Sequence, residues 1–230
     1  SATLEGRMRE NPPMRTRIKF CGLVRPGDVD AAVRVGADAI GFVFYEPSPR
    51  FVDADAAKGL RQRLPSFVRA VGLFVNAPPA VIRATSEAVG LDVIQFHGDE
   101  SPEALRQSLP PGRIAWRAHR VVPGQDLAAA IAAFDGAEFH LLDSHSQGYG
   151  GSGKTFDWAV ADGVDRSRLI VSGGIHPDNV GDAIARLGPF AVDTSSGIQG
   201  ETARVKDVSR MEAFVDAVRI ADGRLAAAGR

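Results

Sequence analysis

The stretch GYGGSGKT, Gly148–Thr155, matches the phosphate-binding pattern G-x-x-x-x-G-K-[ST] letter for letter. How it is read decides the fold. A nucleotide-binding P-loop needs a strand running directly into the first glycine and a long helix opening at Gly-Lys-Thr. Here Ser144, His145, Ser146 and Gln147 separate the preceding apolar run from the first glycine. Beyond it, TFDWAVADG allows only a short helical segment before Gly163. The match is therefore read as a coincidence of glycines in a long polar loop, a candidate lid over a site.

Outward from this loop, short apolar runs recur along the whole chain. They are RIKFCG from Arg17, AIGFVF from Ala39, VRAVGLFV from Val68, VIQFHG from Val93, RIAWRA from Arg113, FHLLDS from Phe139, LIVSGG from Leu169 and FAVDTSSG from Phe190. Segments with helical spacing lie between them, such as PGDVDAAVRVG, PPAVIRATSEAVG, SPEALRQSL, DLAAAIAAF and HPDNVGDAIARLG. Apolar strands alternating with helices imply βαβ units and a parallel sheet covered on both faces. Eight such units in 230 residues predict a single-domain (β/α)₈ TIM barrel, a fold of about 250 residues. A doubly wound open sheet would need fewer strands and a Gly-rich turn after the first; strand 1 is followed by CGLVRPGD instead. The barrel is assigned to residues 17–225. Residues 1–16, SATLEGRMRENPPMRT, read as a disordered leader, partly a cloning remnant.

The formal net charge of −1 carries no polybasic footprint, which argues against nucleic-acid binding. No apolar run approaches the ~18 residues that span a bilayer. The single cysteine, Cys21, excludes an intrachain disulfide and agrees with a reducing cytoplasm. The five histidines and the many acids show no metal-ligand spacing.

Barrel chemistry sits at the C-terminal ends of the strands, and phosphate is often held by the loops after strands 7 and 8. Gly173-Gly174 and Ser195-Ser196-Gly197 occupy those two loops. Exposed backbone N–H groups followed by helix starts make a monophosphate site that needs no cationic side chain. Asp143 closes the apolar run of strand 6, where a carboxyl beside a bound anion suits a general acid. Arg50, set in Ser48-Pro49-Arg50, stands over the barrel mouth in a rigid loop suited to bidentate carboxylate capture. Cys21 ends strand 1, and two readings are equally open: a small buried hydrophobe, or a thiol tuned as a base, with Gly22 leaving room for a ligand. His97 divides the same way between a core histidine and substrate contact. Asp193 is a substrate contact or a support for the strand 8 turn. Lys19 receives no role, being placed too early in strand 1 to face the site as Cys21 does.

KFCGLVRPGD, GADAIGFVFYEPSPR, VIQFHGDE, LLDS with GGSGKTFDW, VSGGIHPDNV and AVDTSSGIQG with VKD together resemble the phosphoribosylanthranilate isomerase family of tryptophan biosynthesis. The likeness runs from about Arg17 to Asp207. It implies a barrel enzyme without cofactor or metal, acting on a small phosphosugar as a cytoplasmic monomer or homodimer. The reaction implied is the Amadori rearrangement of N-(5-phosphoribosyl)anthranilate to 1-(2-carboxyphenylamino)-1-deoxyribulose 5-phosphate. The resemblance makes Cys21 the general base, Asp143 the general acid and Arg50 the contact to the anthranilate carboxylate, with Gly173, Gly174, Ser195, Ser196 and Gly197 on the phosphate. Four positions depart from the family pattern: Phe20, Thr194, Gln199 and Arg204 stand where Ile, Val, Glu and Gly are more usual. A barrel for the related rearrangement in histidine synthesis would instead end strand 1 in Asp and carry a second phosphate turn. A silent phosphosugar-binding barrel would not need both Cys21 and Asp143.

Overall fold

The computed structural model describes residues 15–122, 124–144 and 158–228. Eight strands form a closed parallel barrel in chain order. They are β1 (Arg17–Cys21), β2 (Ala39–Val43), β3 (Arg69–Phe74), β4 (Val93–Phe96), β5 (Ile114–Val121), β6 (Phe139–Ser144), β7 (Leu169–Val171) and β8 (Ala191–Thr194). Every apolar run singled out above supplies one strand. The helices are α1 (Pro26–Val35), α2 (Ala54–Arg61), α3 (Pro79–Val89), α4 (Pro102–Ser108), α5 (Leu127–Ala132), α6 (Val180–Leu187) and α7 (Val208–Ala227). Two 3₁₀ turns, Trp158–Ala161 and Arg166–Arg168, lie between β6 and β7. The GYGGSGKT loop and its expected lid role fall outside the described residues, as do residues 1–14 of the expected leader.

Local chemistry starts the helices. Pro26 and Pro79 occupy first-turn positions of α1 and α3, where a missing N–H costs nothing. Asp53, Ser101, Asp126 and Asp207 each accept a hydrogen bond from a first-turn backbone N–H of the helix they precede, a cap that contributes about 0.5–2 kcal/mol.

Strand alternation then separates an outer layer from a barrel interior that itself forms two clusters. Ile18, Phe20, Ile40, Phe42, Ala70, Phe74, Ile94 and Phe96 belong to the layer packed with the helices. Phe20 meets Phe214 of α7 edge-on, with ring centroids 5.7 Å apart. Ala39, Val71, Val93, Trp116, Ala118, Leu141, Ile170 and Ala191 form the separate inner cluster, and Cys21, Val43, Leu73 and Val75 form a third. Because side chains two apart on a strand share a face, Lys19 and Cys21 both belong to the interior. Lys19 is buried, paired in register with Ala39 on one side and Asp193 on the other. Lys19 therefore shares the interior face with Cys21, an offset of two keeping the face, but lies one turn of the pleat deeper and does not line the cleft that Cys21 reaches.

The seam between chain ends is closed by polar contacts. Thr16 donates from its backbone N–H and its hydroxyl to the Asp222 carboxylate of α7 at 2.8 and 2.7 Å. Arg15 pairs with Asp38 at the start of β2.

His119 of β5 and His140 of β6 are buried, with Nε2 of the first 3.0 Å from Nδ1 of the second. Burial, then the neighbouring ring, lowers His119 to about 3. Burial, then the charge of Arg168, lowers His140 to about 4. Both are below the ordinary 6.5, so the unfolded chain takes up protons that the native state refuses. Stability should therefore fall as pH drops below 6.5 and keep falling towards about 3, by on the order of a few kcal/mol in total. Denaturant unfolding across that window checks it, and His119→Leu should flatten the dependence.

Candidate functional site

A cleft opens at the C-terminal end of the barrel, where barrel enzymes place their chemistry. Cys21, Arg50, His97, Asp143, Gly173, Gly174, Asp193, Ser195 and Ser196 all line it. Gly197 lines the adjoining groove with Gly174 and Ser196. Every residue singled out from the sequence is thus brought to one end of the barrel.

Cys21 ends β1, buried, in register with Gly41 of β2. A Cβ on Gly41 would lie 2.7 Å from Cys21 Sγ, so that glycine makes the space the thiol occupies. Gly22 follows at φ 71°, a left-handed conformation that side chains rarely adopt. A Cβ there would come within 2.5 Å of Arg50 Cδ. The Cys-Gly pair therefore seats both the thiol and the arginine. Burial pushes the Cys21 thiol up, while the Lys19 ammonium works to bring it down.

Lys19 Nζ donates to Asp193 Oδ1 at 2.8 Å, and Ser172 Oγ donates to Asp193 Oδ2 at 2.9 Å. Both Asp193 oxygens thus have partners within the barrel. Burial works against the Lys19 charge, but the Asp193 carboxylate and hydrogen bonds to Asp193 and Cys21 outweigh it, and its pKa is raised.

Asp143 is buried at the end of β6. Its Oδ2 lies 3.0 Å from His97 Nε2, and His97 Nδ1 lies 3.0 Å from the Gln95 amide nitrogen. An amide nitrogen only donates, so Nδ1 accepts and the ring proton sits on Nε2, aimed at Asp143. Both ring nitrogens of His97 are thereby engaged by protein groups. The loop bearing His97 is stapled by Glu100, which accepts from the backbone N–H of Gly98 and Asn76 and from Arg117.

Arg50 donates through Nη2 to Gln199 Oε1 at 2.8 Å. Its Nε is buried without a hydrogen-bond partner, a donor aimed at no protein acceptor. Arg204 donates from Nη1 to the carbonyls of Pro49 and Phe51, both at 3.1 Å, tying the last loop to the Arg50 loop. Thr194 Oγ1 donates to the Ile175 carbonyl at 2.6 Å, joining the turns after β7 and β8. Three of the four departures from the family pattern therefore brace loops around the cleft.

In the phosphate-type turns, Gly173 and Gly174 have φ of 73° and 69°. A Cβ on Gly197 would sit 2.1 Å from the Ile175 carbonyl, so the two turns interlock only without a side chain there. Sequence reading passed over Lys206. Its ammonium donates to the Ser195 carbonyl at 2.8 Å and to Ser195 Oγ at 3.2 Å. Burial, then the charge of Arg50, lowers its pKa to about 7. Its place one residue before an Asp helix cap resembles any surface lysine in sequence. Among the described residues, no group of three His, Cys, Asp or Glu could hold a metal ion, and no helix is long and apolar enough to cross a membrane.

The family model described as N-(5'phosphoribosyl)anthranilate (PRA) isomerase matches residues 18–217. The chain is 51% identical to the N-(5'-phosphoribosyl)anthranilate isomerase of Dechloromonas aromatica, over 91% of this chain and 99% of that protein. Among solved structures, the phosphoribosyl anthranilate isomerase of Thermotoga maritima superposes with a TM-score of 0.81 at 36% identity, covering 89% of this chain and 98% of that one. A second, a phosphoribosyl anthranilate isomerase in complex with reduced 1-(o-carboxyphenylamino)-1-deoxyribulose 5-phosphate, has a TM-score of 0.78 at 33% identity, with the same coverage.

The crowding at Gly41 has a direct test. Gly41→Ala should lower unfolding stability by about 1–3 kcal/mol, the usual cost of overpacking. In a Cys21→Ala background most of that cost should disappear, since the sulfur it collides with is gone; equal costs in both backgrounds would contradict the packing.

Proposed function

The chain belongs to the N-(5'-phosphoribosyl)anthranilate isomerase family, and on that premise we propose how its residues divide the work. It is an aldose–ketose isomerase of tryptophan biosynthesis. The reaction is the Amadori rearrangement of N-(5-phosphoribosyl)anthranilate to 1-(2-carboxyphenylamino)-1-deoxyribulose 5-phosphate.

Asp143 protonates the ribose ring oxygen, and the C1–O bond breaks to leave an iminium at C1. The iminium acidifies the C2–H bond. Cys21, as thiolate, removes that proton, and the electron pair forms the C1–C2 double bond of an enolamine. Protonation at C1 and loss of the enol proton then give the aminoketone. Each proton transfer supplies about 10²–10⁴-fold. The observation that carries this assignment is that Cys21 and Asp143, from strands on different sides of the barrel, line the same cleft as Arg50 and the turns after β7 and β8.

His97 acts on the acid. Its Nε2–H holds Asp143 Oδ2 and leaves Oδ1 to carry the transferred proton. That charge-assisted bond strengthens as the carboxylate forms. Of the two readings that the sequence leaves open, this favours a histidine bonded within the protein, because both ring nitrogens already have partners. Arg50 receives the anthranilate carboxylate, supported by its unpaired, buried Nε. The turns with Gly173, Gly174, Ser195, Ser196 and Gly197 receive the phosphate, and a bound dianion would restore charge to Lys206. Asp193 lines the cleft and holds Lys19 and Ser172, which favours the supporting role among the two that the sequence leaves open. The chemistry asks for no cofactor: acid, base and both anion contacts are side chains or backbone of one chain. A monomer would hold a complete site and a homodimer two. The lone, buried thiol suits a reducing cytoplasm.

Loss of the anthranilate-type fluorescence of the substrate follows turnover. Cys21→Ala and Asp143→Asn should each lower kcat by about 10²-fold or more with little change in KM. Arg50→Gln should act mainly on KM, as loss of a ground-state contact does. Wild-type turnover by Cys21→Ala would remove the base assignment.

A further inference from the structure

We propose that Lys206 is a positioning residue for the anionic end of the substrate, a buried ammonium that serves a bound dianion as counter-ion through the Ser195–Ser196 peptide. The inference rests on the reading of the turns after β7 and β8 as the phosphate site, and it adds the charge that those turns lack.

The main chain fixes the place of this lysine. Lys206 forms an antiparallel bridge with Gln199, and its backbone N–H donates to Asp28 Oδ2 at 3.1 Å. The residue is only 4% exposed, and its ammonium donates to the Ser195 carbonyl at 2.8 Å and to Ser195 Oγ at 3.2 Å. A buried ammonium is costly unless an anion pairs with it. The buried lysine and arginine pairs among the described residues are Lys19 with Asp193 and Arg117 with Glu100, and neither includes Lys206. The oxygens it does meet belong to one neutral serine.

Ser195 carries that charge to the cleft. Its carbonyl and the Ser196 N–H belong to one peptide unit, and a cation on the oxygen polarises the unit and strengthens the N–H as a donor. Ser195 and Ser196 line the cleft beside Gly173 and Gly174. The Ser195 hydroxyl, which accepts from Lys206, donates in turn to the Cys21 carbonyl at 2.8 Å. The ammonium thus both charges the turn and seats it against β1.

Four groups face the ammonium from the elements around it. Arg50, from the loop after β2, opposes its charge, while an ionised Cys21 of β1, Asp193 of β8 and Asp28 of α1 favour it. Both carboxylates are already engaged, Asp193 by Lys19 and Ser172 and Asp28 by the Lys206 N–H. Burial, then Arg50, prevails, and the pKa falls to about 7. A dianion on the turn supplies the opposite charge that the protein withholds, so anion and proton bind together.

Inorganic sulfate is the probe, a dianion that does not itself titrate near neutrality, read as a competitive inhibitor of turnover by the full chain. Lys206→Met should raise both the sulfate Ki and KM at least about tenfold, the scale of one lost charge-assisted contact. Its kcat should stay within about threefold of wild type, as for lost ground-state binding. Lys206→Gln keeps a donor for the Ser195 carbonyl without the charge, and should lose sulfate affinity as well. In wild type the sulfate Ki should rise as pH passes above about 7, where the ammonium loses its proton; in Lys206→Gln that rise should flatten, which a merely loosened turn would not produce. Anthranilate, inhibiting through the other end of the cleft, should bind both variants within about twofold of wild type, as for an independent contact. A sulfate Ki unchanged in both variants, or an anthranilate Ki that rises as far as that of sulfate, would overturn the proposal. Sulfate that fails to compete with substrate in wild type would instead sink the phosphate reading of the turns on which the proposal stands.

Discussion

A closed barrel has to join its last strand to its first, and here the join is made around an ion pair. Lys19 of β1 and Asp193 of β8 are register partners, and their side chains meet at 2.8 Å inside the barrel. An interior pair of this kind is weak evidence for stability, since desolvation offsets much of the attraction. Its larger effect is on place. It fixes the ends of β1 and β8 relative to each other just below the strand ends, and those ends carry Cys21 and the Ser195–Ser196 turn. The Ser195 hydroxyl donates to the Cys21 carbonyl at 2.8 Å, and Lys206 holds Ser195 from the other side. Thiol and phosphate-type turn are therefore parts of one hydrogen-bonded unit.

The opposite wall is built differently. Gln95, His97 and Asp143 form a line of hydrogen bonds from β4 to β6, and the loop above is held by Glu100 and Arg117. The Arg117 guanidinium also lies 4.7 Å over the Phe134 ring, so this staple reaches through to the layer beyond the strands. One wall supplies cations and the other a carboxyl held by an imidazole. The two walls thus present chemically different groups to a shared cleft.

The barrel was legible because parallel strands buried on both faces read as continuous apolar runs, and eight of them recur with helical spacing between. The strand-end residues were legible for the same reason: a polar residue closing such a run has few places to point. What escaped was pairing across the barrel. Lys19 lies 174 positions from Asp193, and no local pattern couples them; an offset of two along β1 was the one available signal. Lys206 was hidden because its burial comes from contacts with loops distant in sequence. The engagement of His97 by Gln95 depends on which atoms of two polar side chains meet, and residue identity alone leaves that open. Gln199 and Arg204 are visible as unusual letters, but only their contacts with the Arg50 loop give them a purpose.

The unmatched Nε of Arg50 bears on what the cleft would reject. A buried donor left without an acceptor penalises any occupant that fails to supply one. An aniline-bearing analogue without the ortho acid would strand that donor and the surrounding positive charge, whatever the fit of its sugar and phosphate. Selectivity at this end of the cleft would then arise less from attraction towards the right ring than from an energetic veto on the wrong one.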